Sequence, residues 1–127
     1  MIVDSFGWIE WLTEGELADK YADYLRSPEK LITPVIVTYE VYKKLKQILS
    51  EEFALRVVAK FHETKIIPLT ADLALLAPDV SLKWKLPMAD AFVYATALSE
   101  KCPVVTFDPH FERLRQVIFI PKKNDRK

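Results

Sequence analysis

The sequence predicts a single-domain α/β protein: a three-layer sandwich with a short, mainly parallel sheet of four to five strands flanked by helices. Short apolar runs alternate with longer helical patterns, as in parallel sheets that carry helices on both faces. The length of 127 residues suits one domain, and no internal repeat or low-complexity linker divides it. From Ala91 to Leu98 every position except Tyr94 and Thr96 is apolar or small, which is typical of a helix covered on most sides.

Composition limits the classes of protein that the chain can represent. Half of the residues are hydrophobic and 12% are aromatic, which indicates a globular chain. Because 18 basic residues balance 18 acidic ones, a nucleic-acid partner would have to be held by a local basic patch. The single cysteine cannot form an internal disulfide, and neither a basic leader nor an apolar run of membrane-spanning length is present. These features predict a cytoplasmic protein with no membrane partner.

The first half of the chain contains two predicted strands and four predicted helices. In order, they are a strand at Met1–Val3, helices at 5–12 and 15–26, a strand at 30–33, and two antiparallel helices between 34 and 65. Gly7 is expected to let the backbone pass close to another group. Pro34 is expected to open the third helix, and Ser50, followed by two acids, to open the fourth.

The second half repeats the alternation of strands and helices. In order, it has a strand containing Ile66, Ile67 and Leu69, a helix from Ala71 to about Lys85, a helix at 87–98, a strand at 103–107, a helical turn after Asp108, and an edge strand at 117–120. Thr70 is expected to cap the first of these helices, and Pro78 to kink it by removing a backbone hydrogen bond near Ala74. Residues 1–121 should form the domain, and residues 122–127 a charged flexible tail.

Four acids stand at positions where they could face one crevice. Asp4 and Asp108 each follow a predicted strand, and parallel α/β sheets bind ligands outside the carboxyl ends of their strands. Asp90 lies near the start of the buried helix, where unpaired amides and the helix dipole favour a charged carboxylate. Glu40 is the one ionisable group in the apolar stretch VIVTYEVY.

Each of these acids also has an ordinary structural explanation. Asp4 and Asp108 could be turn residues, Asp90 could only stabilise a helix end, and Glu40 could pair with a lysine of the next helical turn. Four such explanations coinciding at one end of a sheet are less expected than a shared role.

Clustered carboxylates imply a metal-assisted chemistry. Because they repel one another, four at one site require either shifted protonation or bound cations. Oxygen ligands without convergent cysteine or histidine select Mg²⁺ or Mn²⁺, and such ions promote hydrolysis of a phosphodiester. Ser5 and Thr106 could hydrogen-bond a water or a ligand oxygen, although helix capping by Ser5 and strand propensity for Thr106 are the favoured explanations.

Four separated motifs carry a family resemblance over almost the whole chain. They are Asp4-Ser5, Tyr39-Glu40-Val41, Ala89-Asp90-Ala91 followed by YATAL, and Thr106-Phe107-Asp108-Pro109-His110-Phe111. In this order they resemble the PIN-domain nucleases, most closely the VapC-type toxins of bacterial and archaeal toxin–antitoxin pairs. No motif is specific singly, but the four together are. Pro78 departs locally from the family pattern without touching these motifs.

The resemblance implies a fold, an activity and a set of partners. Residues 1–121 would be a PIN-like nuclease domain, and Asp4, Glu40, Asp90 and Asp108 would be catalytic acids that hold Mg²⁺ or Mn²⁺, with Ser5 and Thr106 in support. The family implies endonucleolytic cleavage of RNA, a homodimer, and neutralisation by a small VapB-like antitoxin whose C-terminal segment fills the site.

Several cations and aromatic residues are candidates for binding substrate or partner. Lys43, Lys44 and Arg113 could hold RNA phosphates, although such charges more often form a solvated surface. Trp8 and Trp11 could anchor a partner segment; at least one of them is expected in the core, and an exposed one would be the anchor.

The two histidines do not predict a histidine-pair ribonuclease. His62 ends a helix expected to lie away from the crevice, and a histidine-pair mechanism needs two imidazoles near one phosphate. His110 is close in sequence to Asp108 and could touch substrate.

Other functions remain open or lose ground. An aspartyl-phosphate phosphatase needs a second aspartate two positions after Asp4, where this chain has Phe6, and a receiver domain needs one after the third strand, where Thr70 stands. The remaining alternatives are a catalytically inactive PIN-like module that binds RNA or a protein, and a housekeeping RNA-processing PIN nuclease.

Overall fold

A computed structural model describes residues 1–121, and the predicted tail at 122–127 lies outside this range. The strands are β1 (Ile2–Val3), β2 (Ile32–Pro34), β3 (Lys65–Ile67), β4 (Val104–Thr106) and β5 (Val117–Phe119). The helices are α1 (Ser5–Leu12), α2 (Ala18–Leu25), α3 (Val35–Ile48), α4 (Glu51–Phe61), α5 (Ala71–Trp84) and α6 (Met88–Glu100). Single 3₁₀ turns occur at Pro28–Lys30 and Pro109–Phe111. This confirms the predicted α/β fold with five short strands.

All strand pairs of residues 1–121 are parallel, and the order in which strands are added to the sheet reverses direction at β1. β1 pairs with β4 and β4 with β5, while β2 pairs with β3 in a second small sheet. The amide of Ile32 donates to the carbonyl of Met1 at 2.8 Å, which holds β2 beside β1. β2 and β3 therefore lie on one side of β1, and β4 and β5 on the other. A parallel sheet with this order has a crevice between β1 and β4, at the carboxyl ends of the strands.

The helix α6 connects the two hydrophobic cores of the domain. Val93 and Ala97 belong to the larger core, which contains the strands and residues of the first four helices. Ala91, Tyr94 and Ala95 belong to the smaller core, which is formed with α5 and the segment after β4. The burial predicted for this helix is confirmed, and it fixes the start of α6, with Asp90 in its first turn.

Several predicted boundaries are wrong by one to three residues. Pro34 is the last residue of β2 and the N-cap of α3, and Pro87 is likewise the N-cap of α6 instead of its first helical residue. Proline suits both positions, because its fixed φ is compatible with extended backbone and with the first helical turn. The second helix begins at Ala18, not Gly15, and Leu69 lies beyond β3.

The capping predictions for two helices are confirmed. The Ser50 hydroxyl accepts the amide of Phe53 at 3.1 Å, and the Thr70 hydroxyl accepts the amide of Leu73 at 3.2 Å. α5 continues through Pro78 to Trp84, so the proline does not end the helix. Within residues 1–121, no helix is both long and apolar enough to cross a membrane.

Candidate functional site

The crevice between β1 and β4 brings two predicted site residues together directly. Val3 is in register with Val105, and the amide of Asp4 donates to the carbonyl of Val105 at 3.2 Å. Asp4 therefore lies beside Thr106, at the carboxyl ends of two strands that are about one hundred residues apart in sequence.

Asp4 is buried and held by three donors. One of its oxygens, Oδ1, accepts the amide of Gly7 at 2.9 Å and lies 3.5 Å from the Tyr21 hydroxyl, while Oδ2 accepts the Thr106 hydroxyl at 2.5 Å. Burial raises the pKa of Asp4 to about 6, against the lowering effect of the hydrogen bonds from Thr106 and Gly7; the charge of Asp108 raises it further. Asp4 is both the N-cap of α1 and a carboxylate whose orientation is fixed by its hydrogen bonds.

Gly7 allows α1 to approach the rest of the site closely. A Cβ built on Gly7 would collide with the ring of Tyr21 and lie 2.8 Å from a methyl carbon of Val3. The expectation that the backbone passes close to another group here is therefore confirmed. The close approach also brings the Tyr21 ring near Asp4; burial and the Asp4 charge raise the pKa of the Tyr21 hydroxyl, so this group stays a neutral donor.

Asp90 and Asp108 form a pair of carboxylates, and His110 joins them. Burial raises the pKa of Asp90 to about 7, helped by the charge and hydrogen bond of Asp108, whereas His110 lowers it. The His110 Nδ1 lies 2.8 Å from Asp108 Oδ1 and 3.7 Å from Asp90 Oδ2. One ligand atom from each of the three residues lies within 4.8 Å of the others.

The position of His110 corrects the expectation that only oxygen ligands converge. Asp108 caps the 3₁₀ turn at Pro109–Phe111 by accepting the backbone amide of His110 at 2.9 Å, and the turn folds the imidazole back onto the same carboxylate. The signal in the sequence was the spacing Asp-Pro-His, since a proline after an aspartate favours such a turn.

Glu40 completes the acidic cluster from α3. Its Oε1 accepts the hydroxyl of Ser5 at 2.9 Å, and its charge contributes to the raised pKa of Asp90. Ser5 therefore contacts the cluster and does not cap α1, where Asp4 has that role. Among the salt bridges of residues 1–121, none joins Glu40 to Lys43 or Lys44, so the helix ion pair considered from the sequence is not formed.

These side chains surround one open cleft with a volume of about 260 Å³. Its lining combines the four predicted acids and Ser5 with apolar groups, namely Phe6, Val93, Phe107, Pro109 and Phe111. The four carboxylates were predicted to share a crevice, and the structure places them around the same one.

The composition of the cluster fits a divalent cation. Burial and the charge of Asp108 raise the pKa of both Asp4 and Asp90, so their ionised forms are destabilised when no cation lies nearby. A cation among the carboxylates would remove that destabilisation, and carboxylates with one imidazole are ligands that Mn²⁺ accepts. The donor set therefore fits the metal site that the sequence predicted.

The cations proposed for substrate binding lie outside the lining of this cleft. Lys43, Lys44 and Arg113 are exposed, and the ammonium of Lys43 lies 5.6 Å from the centre of the Tyr39 ring, one turn away on α3. Lys43 and Lys44 follow Glu40 by about one helical turn on α3.

The two tryptophans of α1 differ in their environments. Trp8 is 4% exposed and packs edge-to-face against Phe61 at 4.7 Å, so it is a core residue and cannot anchor a partner. Trp11 is partly exposed, with the ammonium of Lys60 above its ring. His62 is exposed at the end of α4 and does not line the acidic cleft.

Comparisons with known proteins agree with this architecture. A toxin–antitoxin complex from Klebsiella pneumoniae superimposes with a TM-score of 0.78 at 22% identity, over 92% of this chain and 94% of that one. The VapC20 toxin of Mycobacterium tuberculosis, described as cleaving the sarcin-ricin loop, gives 0.76 at 16% identity, over 95% and 98% of the chains. DNA-bound VapBC from Salmonella typhimurium gives 0.71 at 16% identity, over 94% and 96%.

At these identities the structural likeness shows a shared fold. A search of curated proteins gives no match. The model of one family, the PIN domain, matches residues 1–117, which include all four acids of the cleft. The chain therefore belongs to the PIN-domain family.

Proposed function

We propose that this protein is a metal-dependent endoribonuclease that acts as the toxin of a type II toxin–antitoxin pair. The observation that carries the proposal is the convergence of Asp4, Glu40, Asp90 and Asp108 on one open cleft at the switch point of a parallel sheet. Membership of the PIN family and the likeness to toxin–antitoxin structures support it.

The acids would hold Mg²⁺ or Mn²⁺, with Asp90, Asp108 and His110 as the group whose ligand atoms already lie close together. When bound, the ion would lower the pKa of a water molecule and stabilise negative charge on the phosphodiester oxygens. The imidazole favours Mn²⁺ over Mg²⁺, because Mg²⁺ has the stronger preference for oxygen ligands.

The other polar groups orient the acids. The Thr106 hydroxyl donates to the carboxylate of Asp4 and accepts the backbone amide of Asp108 at 3.0 Å, so one side chain connects the Asp4 carboxylate to the backbone of Asp108. The Ser5 hydroxyl donates to the carboxylate of Glu40. Catalytic carboxylates need such fixed directions, because a small displacement of a ligand weakens both ion and substrate binding.

Partners follow from the same assignment. We propose a VapB-like antitoxin, since solved neighbours are described as toxin–antitoxin complexes, and a homodimer as the assembled toxin. Lys43, Lys44 and Arg113 are proposed to attract the RNA backbone toward the cleft. Trp11 remains the aromatic candidate for a partner contact.

The test is cleavage of a mixed pool of structured and single-stranded RNA by purified protein with Mg²⁺, Mn²⁺ or EDTA. Asp4→Asn and Asp90→Asn should each abolish cutting, while Asp79→Asn, an exposed aspartate on α5 outside the cleft, should leave it unchanged. Activity that survives in EDTA, or in both cleft variants, would contradict the proposal. A wild-type protein that binds RNA but cuts none would favour the non-cleaving module.

The toxin role has its own readout. Inducing the wild-type chain in a bacterial host should arrest growth, and inducing Asp90→Asn should not, although both proteins accumulate. Growth arrest by the Asp90→Asn variant would separate toxicity from catalysis, and normal growth with an active nuclease would favour an RNA-processing role.

A further inference from the structure

Two phenylalanines form a partly exposed aromatic stack at the acidic cleft. The ring centroids of Phe6 and Phe107 lie 4.0 Å apart with an interplanar angle of 26°. Phe6 is 38% exposed although its neighbours on α1, Gly7 and Trp8, are buried. This pair is called the aromatic shelf.

Both phenylalanines of the shelf are adjacent in sequence to residues that form or contact the acidic cluster. Phe6 follows Ser5, whose hydroxyl binds Glu40, and Phe107 stands between Thr106 and Asp108. Both phenylalanines line the same cleft as the acids. A phosphate bound at the acids through a cation would therefore lie in the same cleft as the aromatic shelf.

We propose that Phe6, supported from behind by Phe107, stacks on an unpaired nucleobase next to the phosphate that is cleaved. This inference rests on the proposed nuclease function and adds to it a side chain that would position the substrate strand. A flat ring already stacked on one face offers its remaining surface to a base, and bases stack on exposed aromatic side chains whatever their sequence.

Stacking on Phe6 requires a base whose face is free. In a duplex each base is already stacked between its neighbours, so a side chain takes up a base most easily where the strand is unpaired. Stacking on the aromatic shelf would therefore favour unpaired RNA over paired RNA, without discriminating among the bases.

The experiment uses short RNA strands in which 2-aminopurine replaces one base at a time, bound to the full-length Asp90→Asn protein in Mg²⁺. Stacking quenches 2-aminopurine fluorescence, so we expect quenching at a position flanking the site that the wild-type protein cuts. Phe6→Ala should remove the quenching and weaken RNA binding about 5- to 150-fold, the range of one lost aromatic stack. Phe6→Tyr should retain both.

Matched controls separate stacking from a general loss of structure. Phe6→Leu keeps an apolar contact with Phe107 and should fold, but it should lose the quenching. Trp84→Ala removes an aromatic residue of similar exposure, 42%, outside the cleft, and should change neither readout.

The outcomes distinguish this inference from the nuclease proposal. Unchanged quenching and affinity in folded Phe6→Ala and Phe6→Leu, or equal cleavage of single strands and duplexes by the wild type, would overturn the shelf alone. So would a Phe6→Ala protein that loses affinity only for a protein partner. If the wild-type protein cuts no RNA but quenching still depends on Phe6, the stacking inference would hold and the nuclease proposal would be wrong.

Discussion

Replacing Asp90 by asparagine should stabilise the metal-free protein at pH 8, although it removes a residue of the candidate site. Burial and the charge of Asp108 raise the pKa of Asp90 from 3.8 to about 7. A folded-state pKa that is higher than the unfolded one means that ionising Asp90 destabilises the fold. Asparagine keeps the shape of the side chain and removes the charge.

The magnitude follows from the size of that pKa change. A pKa raised from 3.8 to about 7 corresponds to about 4 kcal/mol of destabilisation of the ionised form. The side chain is 26% exposed, so solvent screens part of this effect and we expect about half of it, roughly 2 kcal/mol. The charge also interacts favourably with the start of α6, by about 0.5 kcal/mol, which is too small to reverse the sign.

The pH dependence of stability independently checks whether the Asp90 charge stabilises or destabilises the fold. Between about pH 4 and pH 7 the folded state keeps a proton that the unfolded state has lost, so the wild-type protein loses stability as the pH rises through this range. Asp90→Asn lacks this loss. The two proteins should be similar at pH 4.5, and the variant should melt roughly 5 to 10 °C higher at pH 8.

Urea and thermal unfolding in EDTA, at pH 4.5 and 8, measure the difference. Added Mn²⁺ should reverse the order at pH 8, because the wild-type site gains the cation and the variant binds it weakly. Asp79→Asn should stay within about 0.5 kcal/mol of the wild type at both pH values. A variant equally destabilised at both pH values would refute the reasoning, because the Asp90 charge would then not be a destabilising one.

Three further changes test the packing that supports the site. Gly7→Ala should destabilise the fold by about 1 to 3 kcal/mol, because the added methyl meets Tyr21; a melting temperature equal to that of the wild type would contradict this. Thr106→Val should raise the pKa of Asp4 above about 6 by removing a hydrogen bond to its charged form, which an NMR titration of that carboxyl carbon can measure. Trp8→Ala should cost about 3 to 5 kcal/mol in urea unfolding, and a loss below about 1 kcal/mol would mean that the ring is not in the core.

Local patterns in the sequence were sufficient for the order of elements. The uncharged stretch after Asp90 predicted the buried helix α6, and Ser50 and Thr70 marked helix starts because their hydroxyls can cap free amides. The sequence did not fix the helix starts at Pro34 and Pro87, because proline fits a strand end, an N-cap and a first helical turn equally well.

The candidate site was predictable as a set of residue types but not as a geometry. The acids stood out because each occupied a strand end, a helix start or an otherwise apolar helix. The roles of Ser5 and Trp8 depended on what the folded chain placed opposite them. The Ser5 hydroxyl reaches Glu40, 35 residues away, and Trp8 packs against Phe61, so neither contact has a local signature.

The sequence by itself determined the chemistry available to this protein: short parallel strands, a buried helix with an acid at its start, and four carboxylates suited to a divalent cation. Only the tertiary structure fixed how Asp4 and Asp108 enter one cleft, through the parallel pairing of β1 with β4. It also decided that His110 turns back onto Asp108 and that the ring of Phe6 remains partly exposed. The physical reason is that hydrophobic periodicity specifies which face of each element is buried, whereas the partner across that face depends on how all the elements pack together.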